Sequence, residues 1–359
     1  MDPRRVAVFG PSLAALSGVS THLRTLFASE LARDYELLHF QVGSEGRREN
    51  ALQKLARFAF SPAQLALFLL RTRAGVVHLN ASLDAKGYWR DLVYWGVARL
   101  LGRRVVSQVH GGALPQEFFR GNAPLTWLLR RFLVSSDAVT VLSSAELRAY
   151  RSFDARIKVR LVPNAIDPRG LADRPRTPNA AGPLRLVFVG RVVRAKGLFE
   201  ALEALALLRG AGRACTLRIA GTGADAEALR TAVHAAGLQD RVHLLGPVLG
   251  ADKARLWLDS DVFVLPTYFE GLPYSLLEAM AAGCVPVTTR VAAIPDVVRQ
   301  GEHGLFVPPR DARALARALA QLDDDRGRLA RMAAACRRRV LDQFTSERLT
   351  RDLRALYGA

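Results

Sequence analysis

Residues 266–283 read PTYFEGLPYSLLEAMAAG, and this stretch decides the fold of the second half of the chain. The apolar run Val262–Leu265 comes directly before it and is typical of a buried strand. Pro273 and Gly283 stand where proline and glycine are favoured, at the start and just past the end of a helix. We therefore predict a strand, a loop that contains Glu270, and a helix.

Two carboxylates flank the start of this predicted helix. Glu270 lies in the loop, and Glu278 lies in the first turns of the helix. A helix N-terminus offers backbone N–H groups and a positive dipole end, which suit phosphate or hydroxyl oxygens. Carboxylates are poor neighbours for phosphate but good acceptors for sugar and ribose hydroxyls. For Glu278 taken alone, complementing the helix dipole by about 0.3–1 kcal/mol is the favoured explanation.

A second stretch, 188–197, reads FVGRVVRAKG and follows another predicted strand. It brings the guanidinium of Arg191 and the ammonium of Lys196 to the carboxyl end of that strand. Arginine binds phosphate as a fork and lysine as a point charge, so the pair suits a diphosphate that no metal neutralises. The alternative is a solvated loop, which is common for any one such pair.

Two loops with glycine occupy similar positions in the first half. Ser17-Gly18 follows the first predicted strand, and a glycine there lets backbone N–H groups approach a phosphate. His110-Gly111-Gly112 follows the predicted strand Val105–Val109 and places an imidazole at its end. A lone histidine is usually structural, but this position favours a functional one.

Short β-branched runs alternate with longer helical patterns along the whole chain, which predicts the α/β class with parallel sheets. The predicted strands are Val6–Phe9, Leu37–Val42, Val76–Leu79, Val105–Val109, Ala138–Leu142, Lys158–Val162, Leu184–Val189, Thr216–Ala220, Val242–Leu244, Val262–Leu265, Val285–Thr288 and Gly304–Val307. We predict a first domain over residues 1–168, a linker over 169–183 and a second domain over 184–340. Residues 341–359 are predicted to form a last helix that packs back on the first domain.

Taken together, these motifs resemble the retaining glycosyltransferases of family 4. The resemblance runs from Ser17-Gly18 to Val307, and the spacing of Glu270 and Glu278, with seven residues between them, matches the paired-glutamate signature of that family. It is strongest in the stretches 162–167, 190–197, 220–223 and 261–286. The resemblance implies the GT-B architecture, in which two Rossmann-like, doubly wound parallel-sheet domains face each other.

The resemblance also implies a role for each candidate residue. In the second domain, Arg191 and Lys196 would bind the diphosphate of a nucleotide-sugar donor, and Glu278 would accept hydrogen bonds from its ribose. The donor sugar would be held by Glu270, Gly271, Leu272, Pro273 and Tyr274.

The family assigns the first domain to the acceptor and to part of the donor. Gly18 would contact the donor diphosphate, and His110 would contact the sugar near its reacting carbon. The catalytic set implied is His110, Glu270, Arg191 and Lys196. Lys86, Tyr88, Trp89 and Arg90 would line an acceptor groove or, equally, cap a surface helix.

Two departures from the family concern shape rather than charge. Ala165 stands where the family usually has glycine, and Ala292-Ala293 replaces a common Gly-Gly pair. These changes would alter the shape of the sugar pocket and leave the charged groups in place.

One motif points toward a metal. Asp259-Ser-Asp261 matches the Asp-x-Asp metal motif of the other large glycosyltransferase fold. Asp261 opens a predicted strand, however, where the resembled family has an aspartate for packing. We expect no metal and no cofactor, because the two cations already stabilise the leaving diphosphate. The chain offers no obvious covalent nucleophile, and the family implies front-face attack with retention.

Basic residues outnumber acidic ones, 51 to 33, which gives a net charge of +18. No helix-turn-helix, zinc-finger or aromatic RNA-binding pattern accompanies the charge, so no nucleic-acid partner is expected. An anionic membrane surface remains a candidate through Arg47–Arg73, which predicts a basic helix and then an apolar segment that restarts at Ser61-Pro62. A helix packed on a sheet is the favoured alternative for this segment.

Cysteine usage and hydropathy exclude several classes. Cys215, Cys284 and Cys336 stand far apart, which excludes a disulfide scaffold and suits a reducing cytosol. No apolar run reaches about 18 residues, and Gly10-Pro11 interrupts the only stretch that resembles a signal peptide. We expect a cytoplasmic protein, peripheral on the inner face of the membrane if it contacts lipid.

The sequence therefore favours an enzyme that moves a sugar from a UDP- or GDP-type donor onto a glycan or lipid-linked acceptor in bacterial cell-surface polysaccharide or glycolipid synthesis. A nucleotide-sugar epimerase of similar fold is disfavoured because epimerases of that fold lack the glutamate pair. A non-catalytic nucleotide-sugar-binding protein is disfavoured because both glutamates, both cations and His110 occur together.

Overall fold

The computed structural model describes residues 2–47, 49–173 and 180–358. The chain forms two compact units. Residues 1–165 and 346–359 make up the first unit, and residues 166–345 make up the second. The chain thus enters the second unit at Ile166, before the predicted linker 169–183 begins. Residues 174–179 of that predicted linker lie outside the described residues.

The first unit contains a six-stranded parallel sheet with the strand order β2-β1-β3-β4-β5-β6. Its strands are β1 (Asp2–Gly10), β2 (Glu36–Gln41), β3 (Ala74–Leu83), β4 (Arg104–Gly112), β5 (Ala138–Val141) and β6 (Val159–Leu161). Its first seven helices are α1 (Gly18–Ala28), α2 (Leu31–Asp34), α3 (Ala51–Thr72), α4 (Ala85–Leu100), α5 (Pro115–Phe118), α6 (Ala123–Ser135) and α7 (Ser144–Phe153).

Alternating side chains of this sheet build one core on each face. Val77 and Val105 belong to the core that α3, α4, α6 and α7 cover. Val76 and Val106, one residue along each strand, belong to the core beneath α1. The two-sided burial explains why the strands are apolar runs rather than alternating patterns.

The second unit contains another six-stranded parallel sheet, with the order β12-β11-β10-β7-β8-β9. Its strands are β7 (Leu184–Val189), β8 (Cys215–Ala220), β9 (Val242–Gly246), β10 (Val262–Leu265), β11 (Val285–Thr288) and β12 (Leu305–Phe306). Its helices are α8 (Leu198–Gly210), α9 (Ala226–Ala235), α10 (Gly250–Leu258), α11 (Tyr274–Ala281), α12 (Ile294–Val297), α13 (Ala312–Asp324) and α14 (Arg326–Gln343). The two sheets confirm the predicted α/β class, and each predicted strand is present.

The last helix begins later than predicted. α14 continues to Gln343, and α15 (Ser346–Tyr357) follows it, so a helix starting at residue 341 is wrong. The break is set by Phe344, which is buried and has a non-helical backbone with φ −131° and ψ 37°. Its carbonyl accepts from the backbone N–H of Ile166 at 2.9 Å. α15 belongs to the first unit, where it packs against α1 and α2.

The predicted break at Ser61-Pro62 is also wrong, because α3 is one continuous helix of 22 residues with Pro62 inside it. Pro62 has no N–H for the carbonyl four residues earlier, that of Phe58. The hydroxyl of Ser61 donates to this carbonyl at 3.3 Å and replaces part of the missing bond.

The strand before the first-domain histidine is longer than predicted. β4 does not end at Val109 but continues through His110 to Gly112, which pairs with Leu83 of β3. A Cβ on Gly112 would lie 2.5 Å from the carbonyl oxygen of Leu83, so only glycine allows this close pairing.

Candidate active site

The loops that follow β7, β8 and β10 lie against one another at the carboxyl end of the second sheet. A Cβ on Gly221 would lie 1.8 Å from the carbonyl oxygen of Gly190, and a Cβ on Gly197 would lie 2.2 Å from that of Pro266. Gly197 also has a φ of +73°, which side chains disfavour. Gly197 of the stretch 188–197 and Gly221 of the stretch 220–223 therefore allow the backbones of the three loops to lie in contact.

Hydrogen bonds fix the loop after β10 to the short 3₁₀ helix Arg194–Lys196. The backbone N–H of Tyr268 donates to the carbonyl of Ala195 at 2.8 Å, and the hydroxyl of Thr267 donates to the same oxygen at 3.1 Å. As a result, the ammonium of Lys196 forms an ion pair with the carboxylate of Glu270, and both side chains are mostly buried. The structure thus brings together two of the predicted catalytic residues, 74 positions apart.

The second glutamate has a different partner. Glu278 lies on the second turn of α11, and its carboxylate pairs with the ammonium of Lys253 on α10 at 2.6 Å. Lys253 was not selected from the sequence, because nothing in its local pattern marks it. A lysine 25 positions before the second glutamate becomes visible only once α10 and α11 are placed.

The residues between the two glutamates enter the protein interior. Leu272, Pro273 and Tyr274 are buried, whereas Gly271 is half-buried. The carbonyl of Gly271 accepts from the backbone N–H of Ala293 at 3.3 Å, which ties this loop to the segment after β11. Burial, with the carboxylate of Glu278 nearby, raises the pKa of the Tyr274 hydroxyl well above its usual value, so this group stays protonated.

Arg191 is placed differently from Lys196. Its side chain is exposed, and within the described residues it makes no ion pair. A guanidinium held at a strand end without a carboxylate remains available to an anionic ligand.

Asp261 of the Asp-x-Asp motif is a structural residue. Its buried carboxylate pairs with the guanidinium of Arg185 on β7, at 2.8 Å and 3.0 Å. Across the described parts of the chain, no group of three or more histidine, cysteine or acidic side chains is arranged to hold a metal ion.

In the first unit, Gly18 is the first residue of α1. Ser17 caps this helix, its hydroxyl accepting from the backbone N–H of Ser20 at 3.3 Å. Gly18 is exposed, and a Cβ placed on it would meet no described atom within 4 Å. The helix start therefore faces open space, as a ligand-binding helix N-terminus requires.

His110 is oriented by Asn80. The Nε2 atom of His110 lies 2.6 Å from Asn80 Oδ1, and Asn80 Nδ2 donates to the carbonyl of Phe9 at 2.7 Å. Because the amide nitrogen is committed as a donor, Asn80 Oδ1 is an acceptor, and the proton of neutral His110 is on Nε2. Asn80 was not selected from the sequence, because only the pairing of β3 with β4 brings it close to His110.

His110 belongs to a cluster of three histidines. Its ring centroid lies 4.8 Å from that of His22 on α1, and the ring of His22 lies 6.4 Å from that of His78 on β3. His78 Nε2 lies 3.1 Å from Gln108 Oε1, and its Nδ1 hydrogen-bonds the hydroxyl of Tyr357 on α15.

Burial keeps this cluster neutral. Burial lowers the pKa of His78 to about 4, and burial together with the nearby His78 lowers the pKa of His110 to about 3. The pKa of His22 is also well below its usual value, because of burial and of its two histidine neighbours. At pH 7 these imidazoles therefore act as hydrogen-bonding groups rather than as cations.

The proposed acceptor residues do not form one surface. Tyr88 is fully buried, and burial raises the pKa of its hydroxyl to about 12. Arg90 pairs with Asp91 at 2.7 Å, while Lys86 and Trp89 are exposed. A groove lined by Tyr88 is therefore wrong.

Two family models match the two halves of the chain. The family model for glycosyl transferases group 1 matches residues 172–339, and the model for glycosyltransferase family 4 matches residues 10–169. The chain belongs to the group 1, family 4 glycosyltransferases.

Among curated relatives, WcaL of Escherichia coli K12, named for colanic acid biosynthesis, is 37% identical over 188 residues, which are 50% of this chain and 46% of WcaL. The amylovoran biosynthesis glycosyltransferase AmsK of Erwinia amylovora is 33% identical over 178 residues, 48% of this chain and 44% of AmsK. The aligned region spans just under half the length of these relatives.

Solved structures share the fold at low sequence identity. The sucrose-phosphate synthase of Thermosynechococcus elongatus superposes with a TM-score of 0.78 at 20% identity, over 99% of this chain and 98% of that one. HepE of Anabaena, in complex with UDP-glucose, superposes with a TM-score of 0.77 at 15% identity over 99% of both chains. The fold is the predicted GT-B type.

Proposed function

We propose that the protein is a metal-independent, retaining glycosyltransferase that moves a sugar from a UDP- or GDP-type donor to a glycan or lipid-linked acceptor. The observation that carries the proposal is the Lys196–Glu270 pair, held by the loops after β7 and β10 at the carboxyl end of a parallel sheet. Ligands of such sheets bind at this end. A cation for the diphosphate and an acceptor for sugar hydroxyls stand side by side there.

The cations supply the main catalytic effect. When the bond between the sugar carbon and the diphosphate oxygen breaks, its electron pair stays on the diphosphate and adds negative charge there. Fixed cations stabilise charge where it develops in the transition state. Lys196 is held in place by its partner, and the exposed Arg191 offers a second set of donors. The acceptor oxygen then bonds to the same face of the sugar carbon, and its proton passes to the departing diphosphate oxygen.

In this proposal, the two carboxylates accept hydrogen bonds from hydroxyl groups of the donor. Glu278, fixed by Lys253 at 2.6 Å, accepts from the ribose of the nucleotide. Glu270, with Gly271, Leu272, Pro273 and Tyr274, holds the donor sugar. Lys196 exchanges part of its ion pair for the diphosphate when the donor binds, which frees one oxygen of Glu270 for a sugar hydroxyl.

The first unit contributes neutral groups. Gly18 offers the start of α1 to the diphosphate, and His110 contacts the sugar near its reacting carbon. Because Asn80 holds the proton on Nε2, the Nδ1 atom of His110 is left as an acceptor.

The names of the relatives support an acceptor in surface polysaccharide. WcaL and AmsK are named for colanic acid and amylovoran biosynthesis, and HepE was solved with UDP-glucose. We place the protein in the cytoplasm, on the inner face of the membrane, with an anionic lipid surface and a lipid-linked acceptor as its partners.

The test is nucleotide release from a panel of UDP-, GDP-, ADP- and dTDP-sugars, measured with EDTA present. Slow release from one UDP- or GDP-sugar, with the anomeric configuration of the released sugar retained by NMR, is the expected result. An epimerised sugar still attached to its nucleotide would instead identify an epimerase. Binding of a nucleotide sugar without turnover, even with a bacterial lipid extract as acceptor, would contradict the enzymatic assignment.

A further inference from the structure

The outer side of α3 is apolar and uncovered. Only Ser61, Leu65 and Leu69 of its 22 residues are buried. Six large apolar side chains are exposed instead: Leu52, Leu55, Phe58, Phe60, Leu67 and Leu70. Leu52 is 77% exposed and Leu55 is 67% exposed. A surface helix of a globular protein normally packs such side chains against the core. An exposed apolar face of this size therefore indicates a binding surface.

Most of these side chains form a continuous stripe. At 3.6 residues per turn, Leu55, Leu52, Leu70, Leu67 and Phe60 fall within an arc of about 140°. This arc lies roughly opposite the buried side of α3, and only alanines fill the rest of it. The stripe runs from Leu52 to Leu70, which is about 27 Å along the helix axis.

Neighbouring helices extend the same surface. α4 packs beside α3 and exposes Trp89, Val93 and Leu100. α6 covers the same side of the sheet and exposes Trp127. Tryptophan is enriched where a protein meets the boundary between lipid and water. We call the exposed side of α3, α4 and α6 the outer helical surface.

The helices of this surface carry more cations than carboxylates. α3 and α6 contain no Asp or Glu. Arg57 of α3 pairs with Glu49 at 2.9 Å and Arg130 of α6 pairs with Asp154 at 3.4 Å. Lys54, Arg71 and Arg131 make no ion pair within the described residues. The one acidic residue of α4, Asp91, is buried and paired with Arg90 at 2.7 Å. An apolar stripe on helices that carry cations and no exposed carboxylate complements an anionic lipid bilayer.

We propose that the outer helical surface binds an anionic lipid bilayer, with the stripe of α3 lying in the headgroup region. This inference rests on the membrane placement proposed above. It adds which helices make the contact. It differs from the earlier expectation in one respect: the apolar face is a single stripe along all of α3.

The test is co-sedimentation of the purified full chain with vesicles of phosphatidylcholine containing phosphatidylglycerol. We expect binding to these vesicles, weaker binding in 0.5 M NaCl, and little binding to pure phosphatidylcholine. The variant Leu52→Ser, Leu55→Ser, Leu67→Ser should bind at least tenfold more weakly. A matched control is Leu207→Ser, Leu245→Ser, Leu249→Ser, which removes three exposed leucines from the second unit and should bind as the wild type does.

Three outcomes would overturn the proposal. They are a wild type that ignores anionic vesicles, equal loss of binding in both triple variants, and a wild-type dimer that the α3 variant turns into a monomer, which would make the stripe an interface between copies. Circular dichroism confirms that each variant is folded. Nucleotide release measured without vesicles separates the two proposals, since the α3 variant should keep it.

Discussion

At the scale of single residues, Ala292 stands out because its backbone has a φ of +46°, in the left-handed region. This conformation costs a residue with a Cβ about 1–2 kcal/mol. The neighbouring Ala293 has an ordinary φ of −84° and is buried. The position where the family commonly has glycine is therefore one that the backbone itself disfavours for alanine.

We predict that Ala292→Gly raises the free energy of unfolding by about 0.5–1 kcal/mol, because relief of strain exceeds the entropy that glycine adds to the unfolded chain. Ala293→Gly is the matched control and should lower it by about 1 kcal/mol. Urea denaturation of both variants checks this. A loss of stability in Ala292→Gly equal to that in Ala293→Gly would contradict the strain argument.

The limits of sequence reasoning are clearest at this scale. The glutamates, Arg191 and Lys196 could be selected because they lie in short motifs. Lys253 and Asn80 could not, because each acts on a residue at least 25 positions away, Glu278 and His110. Pairing of this kind depends on how helices and strands are placed, and local sequence does not encode it.

At the scale of elements, the strands could be predicted because burial on both faces leaves continuous apolar runs. The helix boundaries depend on single contacts as well as on periodicity. Helical periodicity does not show that a buried Phe344 ends α14, or that Ser61 lets α3 continue through Pro62. In each case a single hydrogen bond that periodicity does not predict accompanies the end or the continuation of the helix.

α15 is the element whose contribution is easiest to measure. It covers one face of the first sheet with Leu349, Leu353, Leu356 and Tyr357, all buried. We predict that Leu353→Ala lowers the free energy of unfolding by about 2–5 kcal/mol, through lost burial and the cavity left behind. Arg351→Ala, on the exposed side of the same helix, should change it by less than about 0.5 kcal/mol. Similar values for both variants would show that α15 does not cover the sheet.

At the scale of the whole molecule, the histidine cluster makes stability depend on pH. The pKa values of His22, His78 and His110 are lowered in the folded protein, so the unfolded chain binds more protons below about pH 6.5. The stabilisation is complete above that pH and is lost as the pH falls toward the folded pKa values.

We predict that the free energy of unfolding falls by several kcal/mol between pH 7 and pH 5, since each histidine contributes about 1.4 kcal/mol per pH unit. In His22→Gln this fall should be smaller by about 2 kcal/mol. His243→Gln, which removes an exposed histidine, should leave it unchanged. Denaturant titrations at pH 7 and pH 5 measure these differences. If the free energy of unfolding of His22→Gln falls between the two pH values as much as that of the wild type, the neutral buried cluster is contradicted.

Within the parts of the chain that the structure describes, no helix is both long enough and apolar enough to cross a membrane. The donor site that we propose lies on the second unit, where Glu270 pairs with Lys196 and Glu278 pairs with Lys253. The membrane contact proposed for the outer helical surface and the donor binding proposed around Lys196 and Glu270 rest on different residues, and either can fail without the other.

The most direct test of the donor site is calorimetric titration with the nucleoside diphosphate that the release panel identifies. Lys196→Ala removes the cation paired with Glu270, and a hydrogen bond to a charged group is worth about 1.5–3 kcal/mol. Affinity should therefore fall by at least about tenfold in Lys196→Ala and stay at the wild-type value in Lys158→Ala, an exposed lysine of the first unit. Wild-type affinity in Lys196→Ala would contradict the assignment of the site.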